Sequence, residues 1–193
     1  MLRLSPLFLT PLLLLLFCSM APGAAPPPRP YSGCGVLFVT KGSAWEPELL
    51  ALYREPGMLR IAELRAASLP RLSGSASEPL LAASERRGGW TRLSIDDAGR
   101  QGWLEPVRGW EYKSWQEFLP GRSVRVLPGL KKGWYALRSA PGEAAGETGT
   151  LTRDQLVQVL EVREDWARLK APAGWFRWRD GDGRLTVALQ ESR

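Results

Sequence analysis

Short apolar runs separated by turn residues recur along most of the chain. The runs are VLFVT (36–40), LLALY (49–53), WTRLSI (90–95), VRVL (124–127), WYALR (134–138), LVQVLEV (156–162), WFRW (175–178) and RLTVAL (184–189). Runs of this length, bounded by Gly, Pro, Asp, Asn or Ser, are typical of β-strands. The pattern predicts an all-β fold, either a barrel or a sandwich.

Three stretches are less regular. The run 156–162 also fits a helix, but its β-branched residues and the turn that follows favour a strand. The stretches 44–53 and 113–119 are candidates for short helices, because acidic residues precede leucines in the first and Pro-Gly ends the second. Residues 70–79 are small, polar and punctuated by Gly and Pro, so they predict a loop.

The two halves of the chain repeat one pattern. LALYREPG (50–57) matches WYALRSAPG (134–142), GGWTRL matches EDWARL, and QGWL matches AGWF. These matches pair Pro56 with Pro141, Trp90 with Trp166, Arg92 with Arg168, Leu93 with Leu169, and Trp103 with Trp175. The two copies differ in length mainly at turns, which is where a true repeat tolerates insertions.

The second copy, with LRSAPG, then LTRDQLVQVLEVREDWARL, then AGWF, resembles the bacterial SH3-like domain family. The resemblance covers 49–106 and 133–178. It implies two small five-stranded SH3-like barrels in tandem, of a kind that binds peptides, cell-wall components or partner proteins without catalysis. On this basis the first domain spans 31–108 and the second spans 122–193, with an aromatic-rich linker at 109–121.

The N-terminus has the layout of a secretory signal peptide. Arg3 is followed by an apolar run of eleven residues, Leu7–Phe17, and then by small residues. The run is shorter than the roughly 20 residues that cross a bilayer. We therefore expect residues 1–25 to be removed and the protein to be exported, either periplasmic or extracellular, with 26–30 as a Pro-rich spacer.

A lipoprotein is the alternative form of export. Cys18 lies where the apolar run ends, as a lipid-modified cysteine would, although Phe17 stands where such signals usually carry a small residue. Membrane attachment is expected only if Cys18 is lipidated. After signal cleavage Cys34 is the remaining cysteine, and its position in a strand-like run predicts a small buried side chain.

The composition excludes several kinds of chemistry. The chain has no histidine, which removes the histidine base of the usual Ser or Cys hydrolases and every histidine-ligated metal. The net charge of +6 is dispersed rather than gathered in a basic stripe, so nucleic acid is not an expected partner. The segment DGDGR (180–184) fits a tight hairpin turn better than a calcium loop. We expect no metal and no cofactor.

Nine tryptophans make an aromatic binding surface the leading functional hypothesis. Trp103 and Trp175 close the repeated pattern and are expected in the core. The ligand-binding candidates are Trp90, Arg92, Trp166, Arg168, Trp110, Tyr112 and Trp115. The last three lie in the predicted linker, where they either join the two domains or form an exposed patch.

The sequence therefore predicts a non-catalytic binding module of the cell envelope. Its expected partner is a peptide, an envelope protein or peptidoglycan, bound in aromatic-lined grooves with arginines at the rim. One alternative is a structural subunit that pairs through sheet edges. Another is a carboxylate-dependent wall hydrolase, with candidate carboxylates at Glu63, Asp96, Asp97, Glu111 and Asp180, none of which forms a convincing pair.

Overall fold

The structure, a computed structural model, describes residues 29–39, 49–72 and 80–190. They form two antiparallel sheets of seven strands each. The first sheet contains β1 (Gly35–Val39), β2 (Leu50–Tyr53), β3 (Arg60–Leu64), β4 (Leu80–Arg87), β5 (Trp90–Ser94), β6 (Gln101–Leu104) and β7 (Trp110–Ser114). The second contains β8 (Ser123–Val126), β9 (Ala136–Arg138), β10 (Glu147–Thr150), β11 (Leu156–Arg163), β12 (Trp166–Leu169), β13 (Gly174–Arg177) and β14 (Val187–Leu189). The predicted all-β fold of two tandem units is confirmed.

The two sheets have the same strand order. The first runs β3-β2-β6-β5-β4-β1-β7 and the second runs β10-β9-β13-β12-β11-β8-β14, so each strand corresponds to the one seven places later. The register also corresponds, because Arg92 lies opposite Trp103 just as Arg168 lies opposite Trp175. The repeat read from the sequence is therefore a repeat of strand pairing.

Irregularities in the pairing recur at matching places as well. The ladder between β4 and β5 shifts after Ala83, and the ladder between β11 and β12 shifts after Val159. In each unit the hairpin turn that follows this shift contains a residue with a positive φ. This residue is Gly88 (59°) after β4 and Glu164 (48°) after β11. Two-residue hairpins need such left-handed backbone, which glycine adopts without strain.

Two hydrophobic clusters hold the molecule together. One lies within the first unit and contains Leu37 and Leu81. The other contains Val36 and Leu80 together with most of the second unit's core. Since neighbouring residues of a strand point to opposite faces, β1 and β4 are buried on both sides, and the second unit packs against their far face.

A short helix, α1 (Trp115–Phe118), connects the two units. The Glu117 carboxylate accepts hydrogen bonds from the Ser114 hydroxyl (2.7 Å) and backbone N–H (2.9 Å), which lower the pKa of Glu117 and fix the start of the helix. Trp115 and Phe118 are buried in the shared cluster. The helical turn predicted within 113–119 is confirmed.

The segment 109–121, predicted as a linker, is more ordered than that word suggests. Its first half is β7, one of the two edge strands of the first sheet, in which Tyr112 lies opposite Leu37 of β1. Its second half contains α1. The helix predicted for 44–53 is wrong in its C-terminal part, because Leu50–Tyr53 forms strand β2. Pairing of β2 with β3 and β6 outweighs the local leucine pattern there.

Several predictions fall outside the described residues. These are the signal peptide (1–25), Cys18, most of the spacer (26–30) and most of the loop at 70–79. Within the described ranges, no helix has the length and apolar content needed to span a membrane.

Candidate functional site

A groove lies at the end of the first unit where β6 leads into β7. It has a volume of about 160 Å³. We call it the first-unit groove and define it by Arg86, Glu105, Pro106, Trp110 and Tyr112. Leu37, Thr91 and Leu104 are among its other lining residues. The groove thus combines two aromatic rings and a proline with one cation and one carboxylate.

Tyr112 forms part of the groove wall. The Arg86 guanidinium lies 4.3 Å from the centre of its ring, within cation–π range. The Tyr112 hydroxyl donates to the Cys34 carbonyl oxygen at 3.1 Å. Burial raises the pKa of Tyr112 to about 12, and the contact with Cys34 acts in the same direction. Tyr112 is therefore a neutral hydroxyl at physiological pH.

Trp110 supplies the second ring. It is half-buried and packs against the first-unit core. Its Nε1–H is buried and has no acceptor among the described residues. An unpaired buried donor costs about 1–3 kcal/mol, and native structures usually satisfy such groups with a protein, water or ligand acceptor.

The same place in the second unit is filled. Strand register makes Val187 the counterpart of Trp110, and Trp178 the counterpart of Pro106. Trp178 is only 1 % exposed, and its Nε1–H donates to the Glu164 carbonyl oxygen at 2.9 Å. Its ring centre lies 5.0 Å from that of Trp115 in α1. The second unit therefore has a buried tryptophan where the first unit has a groove.

A second cavity, of about 390 Å³, lies between the two units. We call it the inter-unit cleft. It is lined by Gly33, Cys34, Ser84, Gln116 and Arg179, with Trp115 and Trp178 beneath. The side of the cleft that is formed by the N-terminal segment is anchored to the second unit, since Ser32 N–H donates to the Gly183 carbonyl oxygen at 2.8 Å.

Arg179 is held rigidly at the cleft. Its Nε–H pairs with the Asp165 carboxylate, and its Nη1–H donates to the Gly33 carbonyl oxygen at 3.3 Å. The guanidinium also lies 5.0 Å from the centre of the Trp178 ring. Because Arg179 belongs to the second unit and Gly33 to the first, this side chain helps to fix the width of the cleft.

The prediction that Cys34 is a buried core residue is wrong, because its side chain is exposed. Strand β1 begins one residue later, at Gly35. A side chain at Gly35 would come within 2.7 Å of the Tyr112 ring, and Gly33 has a left-handed φ of 61°. These two glycines let the chain pass between β4 and β7, which leaves the Cys34 thiol at the surface of the cleft.

The predicted site residues fall into two groups. Trp110 and Tyr112 line the first-unit groove, whereas Trp115 forms the floor of the cleft. The other four lie on the β4–β5 and β11–β12 hairpins and line neither cavity. Trp90 contacts the ring of Tyr53, Arg92 pairs with Glu85, Trp166 contacts Arg177, and Arg168 pairs with Glu161. Their role in binding stays a prediction.

Sequence reasoning did not find Arg86, Glu105 and Pro106 in the groove, or Arg179 in the cleft. Arg86 is one of many exposed arginines, so its residue type alone does not set it apart. A useful signal was nevertheless present. Extending the alignment of QGWL with AGWF by two residues places Pro106 opposite Trp178, and a proline in place of a core tryptophan predicts missing volume.

The candidate carboxylates are not gathered at either cavity. Glu63 pairs with Arg60 at 2.6 Å, and Asp96 pairs with Arg100 at 2.5 Å. Asp180 pairs with Arg29 at 2.5 Å. No group of three or more potential metal ligands occurs in the part of the chain that the structure describes.

Comparison with known proteins gives little further information. No protein-family model matches the chain, and no curated protein matches it. The structure of NlpC2 from Trichomonas vaginalis aligns with a TM-score of 0.35 and 12 % identity, covering 84 % of this chain and 50 % of that one. The structure of NlpC1 from the same organism gives 0.31 and 11 %, covering 83 % and 51 %. The chain spans about half the length of these two structures, and the likeness carries no argument about function.

Proposed function

We propose that this chain is an exported, non-catalytic protein of the SH3-like class that binds a peptide segment in its first-unit groove. The observation that carries the proposal is the difference between the two units at one equivalent place. Trp178 closes that place in the second unit. In the first unit it is open and lined by Trp110 and Tyr112.

The size of the groove favours part of a polymer over a whole small molecule. Sites for drug-sized ligands have volumes of about 300–1,000 Å³, whereas this groove has about 160 Å³. A volume of this size accepts one or two side chains of a longer ligand. Aromatic walls with a few polar groups suit an extended peptide, whose backbone offers acceptors and whose side chains fill the pockets.

The peptide has two possible sources in an envelope, namely the stem peptides of the cell wall and a segment of a partner protein. Co-sedimentation of the full chain with purified sacculi tests the first source. Crosslinking in the envelope, followed by identification of the crosslinked peptide, tests the second. Binding in either assay that depends on the groove supports the proposal.

Alanine variants of the same residue type in the two units locate the binding site. Trp110→Ala is compared with Trp166→Ala, and Arg86→Ala is compared with Arg168→Ala, after circular dichroism shows that all four are folded. We expect Trp110→Ala and Arg86→Ala to weaken binding at least tenfold, and the two second-unit variants to bind like wild type. Equal losses at Trp110 and Trp166 would overturn the choice of site.

Export and the absence of catalysis are parts of the same proposal and have their own tests. Cleavage after Ala21 or after Ala25 both fit the small-residue rule for signal peptidase, so N-terminal sequencing of the protein from the envelope should begin at residue 22 or residue 26. Alternatively, lipid labelling that is lost in Cys18→Ser would identify a lipoprotein. Incubation of sacculi with the protein should release no soluble fragments over a buffer control, and fragments that disappear with Asp96→Asn or Asp180→Asn would indicate a hydrolase.

A second candidate function, assembly through a sheet edge, rests on strand β3. This strand lies at the edge of the first sheet, and apolar side chains are exposed on and beside it: Met58 (66 %), Leu59 (61 %) and Ile61 (39 %). Exposed apolar edges tend to pair with other chains. Sedimentation velocity tests this candidate, since a concentration-dependent oligomer that Ile61→Lys dissociates would support it.

A further inference from the structure

We infer that the first-unit groove and the inter-unit cleft are two parts of one elongated site, and that its ligand is an extended peptide whose carboxylate lies in the cleft beside Arg179. This inference rests on the proposed function. It adds the length of the ligand, its direction and the chemical group that the second part of the site recognises.

Tyr112 joins the two cavities. Its ring lines the groove, and its hydroxyl donates to the carbonyl oxygen of Cys34 and lies 3.6 Å from the Cys34 sulfur. Cys34 in turn lines the cleft. A ligand that leaves the groove past the Tyr112 hydroxyl therefore reaches the thiol of Cys34 within one hydrogen-bond length.

Strand β4 gives the same connection on the other side. Arg86 lines the groove and Ser84 lines the cleft. The ladder between β4 and β5 shifts between Ala83 and Glu85, so Ser84 and Arg86 do not share a face, but the two residues lie about 6–7 Å apart along the strand. The two cavities are therefore about two residues apart along β4, a separation that an extended peptide of a few residues spans.

A carboxylate at one end and guanidinium hydrogen-bond donors at the other give the site a direction. Glu105 lies at the groove end and forms no ion pair within the described residues. Arg86 also lines the groove, and Arg179 lies in the cleft, whose described lining includes no carboxylate. A peptide with a positive group toward Glu105 and a carboxylate that accepts hydrogen bonds from Arg179 matches this order.

Arg179 is suited to hold a carboxylate. Its contacts with Asp165 and Gly33 use Nε and Nη1, so the donors on Nη2 have no acceptor in the described part of the chain. The side chain is 26 % exposed, which keeps it within reach of a ligand. Because its position is already fixed, binding costs little side-chain entropy. Asp165 neutralises its net charge, so recognition is through hydrogen bonds.

The test uses a hexapeptide library prepared in two forms, one with a free C-terminal carboxylate and one with a carboxamide. Cys18→Ser is present in every sample, so that Cys34 is the one thiol of the full chain. Affinity is measured by tryptophan fluorescence, and occupancy of the cleft is measured by the rate at which a maleimide alkylates Cys34. We expect the carboxylate form to bind at least tenfold more tightly and to slow alkylation at least fivefold.

Variants separate this inference from the proposed function. Arg179→Lys should abolish the preference for the carboxylate, whereas Arg163→Lys, which alters another arginine stacked on a tryptophan, should keep it. Equal binding of the two peptide forms with no protection of Cys34, while Trp110→Ala still weakens binding, would overturn the inference and leave the groove standing. Binding that is insensitive to Trp110→Ala would overturn the proposed function itself.

The comparison of peptide forms on the Cys18→Ser protein needs no substitution at Arg179. It therefore keeps the inference falsifiable even if Arg179→Lys loosens the packing of the two units.

Discussion

The two units share their strand order and register, and they also share a surface cluster. In the first unit Glu85 pairs with Arg87 and Arg92, and the Arg87 guanidinium lies 5.1 Å from the Trp103 ring centre. In the second unit Glu161 pairs with Arg163 and Arg168, and Arg163 lies 5.4 Å from the ring of Trp175. Features that occur twice in this way stabilise the repeated hairpin and give no reason to assign binding to one unit.

The units differ where β6 and β13 lead out of the sheet. The second unit places Trp178 there, packed on Trp115 of α1 and hydrogen-bonded to the hairpin turn. The first unit places Pro106 there, beside the rings of Trp110 and Tyr112. The second unit is closed at this place because it is part of the shared core, whereas the first faces outward.

This difference shows that equivalent positions of a repeated fold can have different roles. One copy joins the two units, and the other copy has a cavity. Each of the following experiments changes one side of the comparison and uses a related residue of the other unit as its control.

The largest effect is expected from removing the tryptophan that closes the second unit. Trp178→Ala should lower the free energy of unfolding by about 3–5 kcal/mol, because it leaves a cavity in the shared core. Pro106→Ala, at the equivalent exposed position, should change it by less than about 1 kcal/mol. Urea denaturation followed by circular dichroism measures both. Equal losses would show that the two places are packed alike.

Asp180 and Asp96 provide a comparison of two aspartate turns as a function of pH. Burial acts to raise the pKa of Asp180, but hydrogen bonds from the Arg184 backbone and from Arg29 outweigh it, so the pKa is lowered. A lowered pKa means that the charged form stabilises the fold at neutral pH and that this stability is lost as the pH falls through the folded-state pKa. Asp180→Asn should cost about 1–3 kcal/mol at pH 7.

That cost should shrink toward zero as the pH falls below about 4, the usual Asp pKa. Asp96 has its pKa lowered mainly by the side chain of Arg100, on an exposed turn, so Asp96→Asn should have a much smaller effect at every pH. Urea midpoints between pH 3 and pH 7 give both curves. A constant cost of Asp180→Asn across this range would contradict the assignment.

Replacing the indole of Trp178 or of Trp110 by a phenyl ring compares the contributions of their Nε1–H groups to stability. Trp178→Phe removes a made hydrogen bond and should cost about 1 kcal/mol beyond the change in volume. Trp110→Phe removes a buried donor without an acceptor, so the fold should lose less stability than with Trp178→Phe or should gain. Peptide binding should nevertheless fall in Trp110→Phe. A large loss of stability there would mean that Trp110 is a core residue only.

The smallest effects are expected at the repeated ion pairs. Double-mutant cycles for Glu85 with Arg92, and for Glu161 with Arg168, should each give a coupling of about 0.2–1 kcal/mol, because exposed pairs are screened by solvent. The couplings should agree with each other and fall in 1 M salt. Couplings that differ strongly between the units would show that the shared cluster is not equivalent.

The strands and their tandem arrangement could be predicted from the sequence. Apolar runs between turn residues gave strands such as β5, β8 and β11, and the matched tryptophans gave the repeat. Trp103 and Trp175 were predicted in the core and are 1 % and 7 % exposed. These features depend on residues close together in the chain, whose spacing is set by the two-residue period of a strand.

The candidate site could be predicted only in part. Trp110 and Tyr112 stood out as aromatics, but nothing local indicates that they line a groove while Trp115, close by, is buried beneath a cleft. Their placement depends on β7 pairing with β1 and on α1 turning toward the second unit, and both are contacts between residues far apart in sequence. For the same reason Cys34 was predicted in the core and lies at the surface.

The sequence by itself determined the repeated hairpins, the residues that close them and the all-β class, because these follow from periodicity and turn chemistry. The tertiary structure decided which copy is open, and the exchange of Trp178 for Pro106 is the part of that decision visible in the sequence. That choice depends on whether Trp178 or Pro106 stands after the closing strand, and on which of the two has another unit packed against it. Packing between distant segments, rather than any local pattern, separates the core tryptophan from the groove.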